Sequence, residues 1–479
     1  MHGQSLASVR VRSLFVEWLA QPDTEVLLMR GLVPTPRAIQ SQVHLHLPKS
    51  PTKKRPAPEP APPPARQSVA TSSPLTGQEA RVPRFFDVYP VAPQVDATTR
   101  ELLAQMATDT PDGLTSETFQ WLLTNHLKMS KFMSQTLFER ISEEGPLSKD
   151  DVEAWLASAY VPHDPIRTFF FAVKQPQNDF IEPDDLQPFI MELLTRHEGM
   201  NFLAGSTDFQ SRFCQTIVSR IFYALDPHDT GRITLPALSM SSLVGTWKSL
   251  EREADLNSCR RFFSYEHFYV IYCKFWEADL DHDFKLDRQD LFRYDGHAFH
   301  KATVDRIFDP DFQSFRSGIA GTMDYSDYIC ECDGILTLDL IINDEDKTTD
   351  RSLEFWFRFV DLDGDGVIRR HEIAHFHEVQ LERLEALGHE VVSTEDILCQ
   401  LNDMLQPSRP GQFTLADFKR HRTTSGFLFN MILSLTKCLA WENRDPYNAR
   451  ADVVDFPEDT DWDRFCRWEY DRLVQEDES

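Results

Sequence analysis

Two short segments of the chain carry oxygen donors at a spacing that can hold a hard cation. Residues 361–372 read Asp-Leu-Asp-Gly-Asp-Gly-Val-Ile-Arg-Arg-His-Glu. Asp361, Asp363 and Asp365 stand at positions 1, 3 and 5, Gly366 at 6, Ile368 at 8 and Glu372 at 12. A cation the size of calcium takes about seven oxygens. The three short carboxylates supply the first, the Val367 carbonyl another, and Glu372 can close the shell with both of its oxygens. Gly366 permits a sharp turn that a side chain would strain. In the second segment, 279–290, Asp279, Asp281 and Asp283 occupy positions 1, 3 and 5, Lys285 offers its carbonyl at 7, Asp287 sits at 9 and Asp290 at 12. It departs twice from the first pattern. Phe284 replaces the glycine, so the turn is either strained or locally different. Asp290 is one methylene shorter than Glu, which favours a lower coordination number and makes Mg2+ a stronger competitor of Ca2+ there.

One enzyme-like pattern overlaps the first loop. His371-Glu-Ile-Ala-His375 matches the HExxH of zinc proteases. Glu372 is already the closing calcium ligand, however, and is not available as a free general base. A zinc hydrolase using His371 and His375 remains a distinct alternative, decided by metal analysis of the purified protein. No glycine-rich phosphate loop, kinase signature, GxSxG elbow or metallophosphatase motif is present. The expectation is a binding protein without catalytic residues.

Loops of this type are held between an entering and an exiting helix, the EF-hand unit. One such unit cannot bury its own apolar face, so units pair, and the apolar residue at position 8 bridges to its partner loop. Segments with that character centre on Leu114, Leu147, Ile181, Ile233, Leu286, Met323, Ile368 and Phe413. Eight units can form four pairs. Most lack ligands: in the loop that starts at Asp226, His228 and Ala237 stand at positions 3 and 12, and Gln406 and Pro410 replace anions before Phe413. The expected fold is mainly α, an elongated array of paired EF-hand-like units, most without metal.

The chain has 479 residues and a net charge of −27, which argues against a nucleic-acid surface and against docking on anionic lipid. No apolar run approaches the ~20 residues needed to span a bilayer. No secretory signal is recognisable; Arg10 and Arg12, with no acid before Glu17, only faintly resemble a transit peptide. The 8 cysteines show no zinc-type spacing, so reduced thiols in cytosol or nucleus are expected. Residues 48–64 contain 8 prolines and belong to an aromatic-free stretch between Trp18 and Phe85. Such a segment cannot bury enough apolar surface to offset its ordering entropy. Lys53-Lys54-Arg55 within it is a linker charge or a nuclear signal, and residues 8–19 could form a short amphipathic helix. The boundaries drawn are a disordered region 1–81, a helical domain of degenerate loops 82–255, a two-loop calcium domain 256–445 and an acidic tail 446–479. The tail interleaves Trp462, Phe465, Trp468 and Tyr470 with its acids, and either docks as a helix or stays disordered.

The segment Phe262-Phe-Ser-Tyr-Glu-His-Phe-Tyr-Val-Ile-Tyr-Cys-Lys-Phe-Trp-Glu277 resembles the calcium-binding B-double-prime family of protein phosphatase 2A regulatory subunits. So do Arg220-Ile-Phe-Tyr223, Gly231-Arg-Ile-Thr-Leu235, Asp305-Arg-Ile-Phe308 and Trp356-Phe-Arg358 with the loop that follows it. The resemblance runs from about residue 82 to 440. Val82-Pro83-Arg84-Phe85-Phe86 is similar to the element that opens the family's shared region, although Asp87 departs from its usual continuation. The resemblance implies a non-catalytic subunit that binds a HEAT-repeat scaffold and a serine/threonine phosphatase catalytic subunit, and that directs phosphoprotein substrate choice and location. It implies calcium ligands at Asp279, Asp281, Asp283, Lys285 and Asp290, and at Asp361, Asp363, Asp365, Val367 and Glu372. Scaffold contact is expected at Val82–Phe86 and on apolar surface near the loop at 279. The cytoplasm is the expected compartment, with the nucleus, cytoskeleton or centrosome also compatible. The alternative is a free-standing EF-hand sensor or scaffold without a phosphatase.

Overall fold

The computed structural model describes residues 93–142, 145–228, 230–310, 312, 321–325, 328, 338–442 and 460–477. The proline-rich segment, Lys53–Arg55, residues 8–19 and the Val82–Phe86 element all lie outside the described residues. Helices α1 (Ala97–Asp109), α2 (Ser116–Trp121), α3 (Ser134–Ile141) and α4 (Lys149–Ala159) flank the first two loops. Helices α5 (Pro165–Val173) and α6 (Pro183–Arg196) enclose β1 (Phe180–Ile181), and α7 (Thr207–Leu225) and α8 (Leu235–Met240) enclose β2 (Ile233–Thr234). After the connecting α9 (Leu243–Ser249), the third pair is built from α10 (Tyr265–Ala278), β3 (Lys285–Asp287), α11 (Arg288–His297), α12 (Lys301–Ile307) and β4 (Thr322–Asp324). Helix α13 (Leu338–Glu345) leads into the fourth pair. That pair comprises α14 (Asp350–Val360), β5 (Val367–Arg369), α15 (Arg370–Ala386), α16 (Thr394–Leu405), β6 (Gln412–Thr414) and α17 (Leu415–Arg420). Three more helices follow: α18 (Arg422–Leu433), α19 (Leu435–Glu442) and α20 (Asp461–Asp477).

The position-8 residues meet as the sequence periodicity requires. Leu114 bridges Leu147, Ile181 pairs Ile233, Leu286 pairs Met323 and Ile368 pairs Phe413, all antiparallel. All eight are buried. In the units whose exiting helix is described, the bridge residue is followed by that helix's cap, and in five of them the acid three residues beyond the cap accepts from its backbone N–H. These are Asp151, Asp185, Asp290, Glu372 and Asp417. The position-12 carboxylate of the calcium pattern is thus also a helix cap, which contributes about 1 kcal/mol without any ion. In the ligand-poor units that carry this acid, at Asp151, Asp185 and Asp417, the cap helps hold the turn without an ion.

Aromatic packing joins successive pairs. Phe213 of α7 stacks on Phe268 of α10 with centroids 4.6 Å apart. The Tyr325 hydroxyl, fully buried beyond β4, lies 3.0 Å from Thr216 Oγ1 of α7. Arg351 of α14 donates to the Tyr223 and Asp226 carbonyls at 2.7 and 2.9 Å. No helix among the described residues is long and apolar enough to cross a membrane.

The acidic tail ends in a docked helix. Trp462, Cys466, Glu469 and Tyr470 of α20 are buried. Tyr470 packs edge-on against Tyr269 of α10. Glu469 bonds Lys274 at 2.8 Å and Arg472 at 2.6 Å. Burial pushes the Glu469 carboxyl up, but the bonds from Arg472 and Lys274 outweigh it and hold the group below its usual range.

The same interface holds a neutral histidine. His267 Nδ1 accepts from Arg220 Nη2 at 2.7 Å, while Nε2 faces Asp463 Oδ1 at 3.4 Å. Burial, reinforced by Arg220, Arg260 and Arg467, holds His267 well below its ordinary pKa. Burial also pushes His300 and His377 down to about 4. Below pH 6.5 the unfolded chain takes up protons at these rings and the folded chain does not. Their contribution is therefore complete above pH 6.5 and is lost as pH falls toward 4, at up to about 1.4 kcal/mol per pH unit for a fully buried ring. Urea unfolding at pH 7 and pH 5 should show that loss, and His267→Asn should reduce it.

Candidate metal centres

Two clusters of acids that could hold an ion by geometry are Asp279, Asp281 and Asp283, and Asp361, Asp363 and Asp365. Within each, one ligand atom per residue lies within 4.8 Å of the others. Both loops start where a long apolar helix ends. The C-cap of α10 is Asp279 and that of α14 is Asp361, so helix termination places the first ligand.

In the loop at 361, Asp361 Oδ1 and Oδ2 accept from Gly364 N and Gly366 N, each at 2.9 Å. Asp363 accepts from Asp365 N at 3.2 Å, and Asp365 from Val367 N at 2.9 Å. Glu372 is buried, with Oε1 accepting from Leu362 N at 2.7 Å and Oε2 from Arg369 N at 2.8 Å. Both ends of the loop are thereby tied to the closing carboxylate. Arg306 of α12 anchors the loop from outside, donating to the Phe359 and Asp361 carbonyls at 3.3 Å each.

The loop at 279 reaches the same backbone by another route. His282 and Phe284 have φ of +56° and +61°, where Gly364 and Gly366 have +68° and +80°. The turn is preserved, and Phe284 carries the strain. Its ring packs on Trp276 at 5.7 Å and beneath the Arg212 guanidinium of α7 at 5.3 Å, while His282 stacks on Trp276 at 3.9 Å. These contacts offset a left-handed conformation that costs a side chain about 1–2 kcal/mol. Phe284→Gly should therefore be more stable than Phe284→Ala by about 1 kcal/mol, because alanine keeps the strain and loses the ring. Urea midpoints of the two variants in chelator check this.

Asp279 is buried, and its Oδ2 accepts from Phe284 N at 2.9 Å. Its Oδ1 is buried without a hydrogen-bond partner, the vacant valence expected of a ligand oxygen facing a cation. Burial, with repulsion from Asp283 and Asp281, pushes its carboxyl up to about 6. Asp290 is buried and raised for the same first reason. Asp287 differs from a ligand in waiting: its Oδ1 accepts from Gln289 N at 2.6 Å and Asp290 N at 3.0 Å, capping α11. A ready donor set of short carboxylates and carbonyls fits a hard divalent ion at both loops.

The ligand-poor loop at 226 closes on itself. The Thr230 hydroxyl lies 3.1 Å from both Asp226 carboxylate oxygens, and Arg232 N donates to Oδ2 at 3.2 Å. A third cluster joins His371 to Asp363 and Glu372, not to His375, so the zinc-protease pattern is not brought together as a zinc site. Three residues now matter to which the sequence alone assigns no role: Arg306, Arg212 and Arg369. Arg306 lies in the Asp305–Phe308 motif, but its partner is more than fifty residues away in the chain. No local pattern could have revealed it.

An EF-hand domain family model matches residues 164–253, the metal-free second pair. The chain is 38% identical over 370 residues to the probable B''delta regulatory subunit of serine/threonine protein phosphatase 2A from Arabidopsis thaliana, covering 77% of this chain and 67% of the relative. It is 32% identical to the probable B''epsilon regulatory subunit of the same plant, covering 97% and 89%. A solved chain described as PP2A PR70 holoenzyme, diCa, superposes with a TM-score of 0.52 at 36% identity, covering 58% of this chain and 98% of that one. The relatives are named regulatory subunits of a phosphatase, in line with a non-catalytic subunit, and the EF-hand match and the diCa neighbour point to calcium. The chain belongs to the B'' family of protein phosphatase 2A regulatory subunits.

Proposed function

We propose that the chain is a calcium-dependent adaptor that joins the HEAT-repeat scaffold to the catalytic subunit of protein phosphatase 2A and selects phosphoprotein substrates. The observation that carries the calcium part is the pair of preformed loops. Asp279, Asp281, Asp283, the Lys285 carbonyl and Asp290 bind one ion, with Asp287 contributing through water. Asp361, Asp363, Asp365, the Val367 carbonyl and Glu372 bind the other. The shorter Asp290 leaves the first loop open to Mg2+. The ion removes repulsion among four or five carboxylates per loop and fixes the angle between entering and exiting helices. The assembly part rests on family membership and on the relative solved within a holoenzyme. Scaffold contact is assigned to Val82–Phe86 and to apolar surface near the first loop, where Leu280 is 49% exposed. Affinity purification of the tagged chain with mass-spectrometric identification of its partners tests the reading. Recovery of scaffold and catalytic subunits supports it; their absence would leave a free-standing calcium sensor.

A further inference from the structure

The two loops differ in the sign of the side chain at position 9. In the loop at 279 it is Asp287, engaged in capping α11. In the loop at 361 it is Arg369, and its guanidinium turns back over the ligand set. Arg369 Nη1 lies 2.6 Å from Asp365 Oδ2 and 3.9 Å from Asp363 Oδ2, and donates to the Val367 carbonyl at 3.3 Å. These are the oxygens of positions 5, 3 and 7, three of the five residues that calcium needs there. The adjacent Arg370 has the same charge and turns away, pairing with Glu395 on α16.

We propose that Arg369 is a tethered counter-cation of the second calcium loop, occupying its ion-facing oxygens until calcium displaces it. This inference rests on the calcium reading of that loop. Ion entry here is an exchange of one cation for another. Asp365 and the Val367 carbonyl must lose Arg369 before they can coordinate, and an arginine left nearby repels the incoming divalent ion. In the loop at 279, by contrast, the arginine beside the ligand set is Arg293, 4.0 Å from Asp290 Oδ1 at position 12, and the Asp279 Oδ1 valence is open. The second loop, with two glycines and a closing glutamate, has the better ligand set of the two. Arg369 holds its affinity below what that ligand set would provide, and so sets the calcium concentration at which it fills. The bland alternative is a solvated strand arginine whose surface ion pair has no measurable effect.

The test is a calcium titration of the full chain by isothermal calorimetry, with calcium chloride alone as the probe. The first loop is silenced by Asp279→Asn with Asp281→Asn, so that one site is read. In that background Arg369→Gln should bind calcium about three- to tenfold tighter. Arg369→Lys, which keeps the charge but loses the planar fork, should fall between parent and Arg369→Gln. Arg370→Gln removes an equal charge without touching the ligands and should change affinity less than about twofold. An Arg369→Gln affinity equal to or weaker than that of the parent overturns the proposal, with Arg369→Ser as a second variant if the glutamine protein is unstable. Equal gains from Arg369→Gln and Arg370→Gln overturn it as well, because net charge alone would then explain the effect. A parent that takes up no calcium would instead remove the calcium reading of the loop, and the proposal with it.

Discussion

Asp279→Asn combined with Asp361→Asn should abolish the rise in thermal stability expected of the wild-type chain in calcium. In wild type, a site filled at about one hundred times its Kd adds about 2.7 kcal/mol, so two sites together shift the unfolding temperature by on the order of 5–10 °C. The double variant keeps the volume of both side chains but loses the first ligand charge of each loop. Its stability without calcium should change as well, in opposing directions at the two positions: Asp279→Asn relieves a buried, repelled charge, while Asp361→Asn loses a hydrogen bond. Asp361 uses both oxygens to accept from Gly364 and Gly366, and an asparagine can satisfy only one of those donors through oxygen. The diagnostic quantity is therefore the difference between scans in calcium and in chelator. A difference that survives in the double variant would place the stabilising ion somewhere other than these loops.

Removing residues 452–479 is the second change with a large expected effect. It uncovers the face of α10 that carries His267, Tyr269 and Lys274, and strips Lys274 of Glu469. Two point variants separate these causes. Trp462→Ala removes a buried indole and should cost about 3–5 kcal/mol. Glu469→Ala leaves the Lys274 ammonium with the half-exposed Glu277 as its remaining ion-pair partner, and should cost about 3 kcal/mol. Urea unfolding measures both. If neither variant shifts the midpoint, α20 is not docked in solution, and the tail's aromatics must serve a partner.

The parts of this architecture legible in the sequence are those governed by local rules. The calcium pattern fixes donor type at every second residue, so the ligand sets at 279 and 361 follow from residue spacing alone. The position-8 rule locates all eight bridge residues, and in five units the helix-capping acid four residues further on marks the place as well. Phe284 is ambiguous because a sequence does not reveal whether a non-glycine will carry a positive φ. The deciding contacts come from Trp276 and from Arg212, which is far away in the chain. The tail shows the same division. Trp462, Cys466 and Tyr470 recur every four residues and outline a buried stripe. Nothing local says that α10 receives it. Arg306 and Arg369 are visible as residues but not as parts of the site, because their roles depend on where a long side chain folds back.

The central claim is that calcium controls assembly of the phosphatase, beyond serving as a permanent staple of the fold. The most direct measurement is the affinity of the purified chain for the HEAT-repeat scaffold subunit across a titration of free calcium, with the Asp279→Asn, Asp361→Asn variant alongside. The account predicts that scaffold binding tightens about tenfold or more as the loops fill, a coupling in the usual allosteric range, and that the variant stays at the calcium-free value. A scaffold affinity that is the same with and without calcium, in a chain that demonstrably binds the ion, would contradict it.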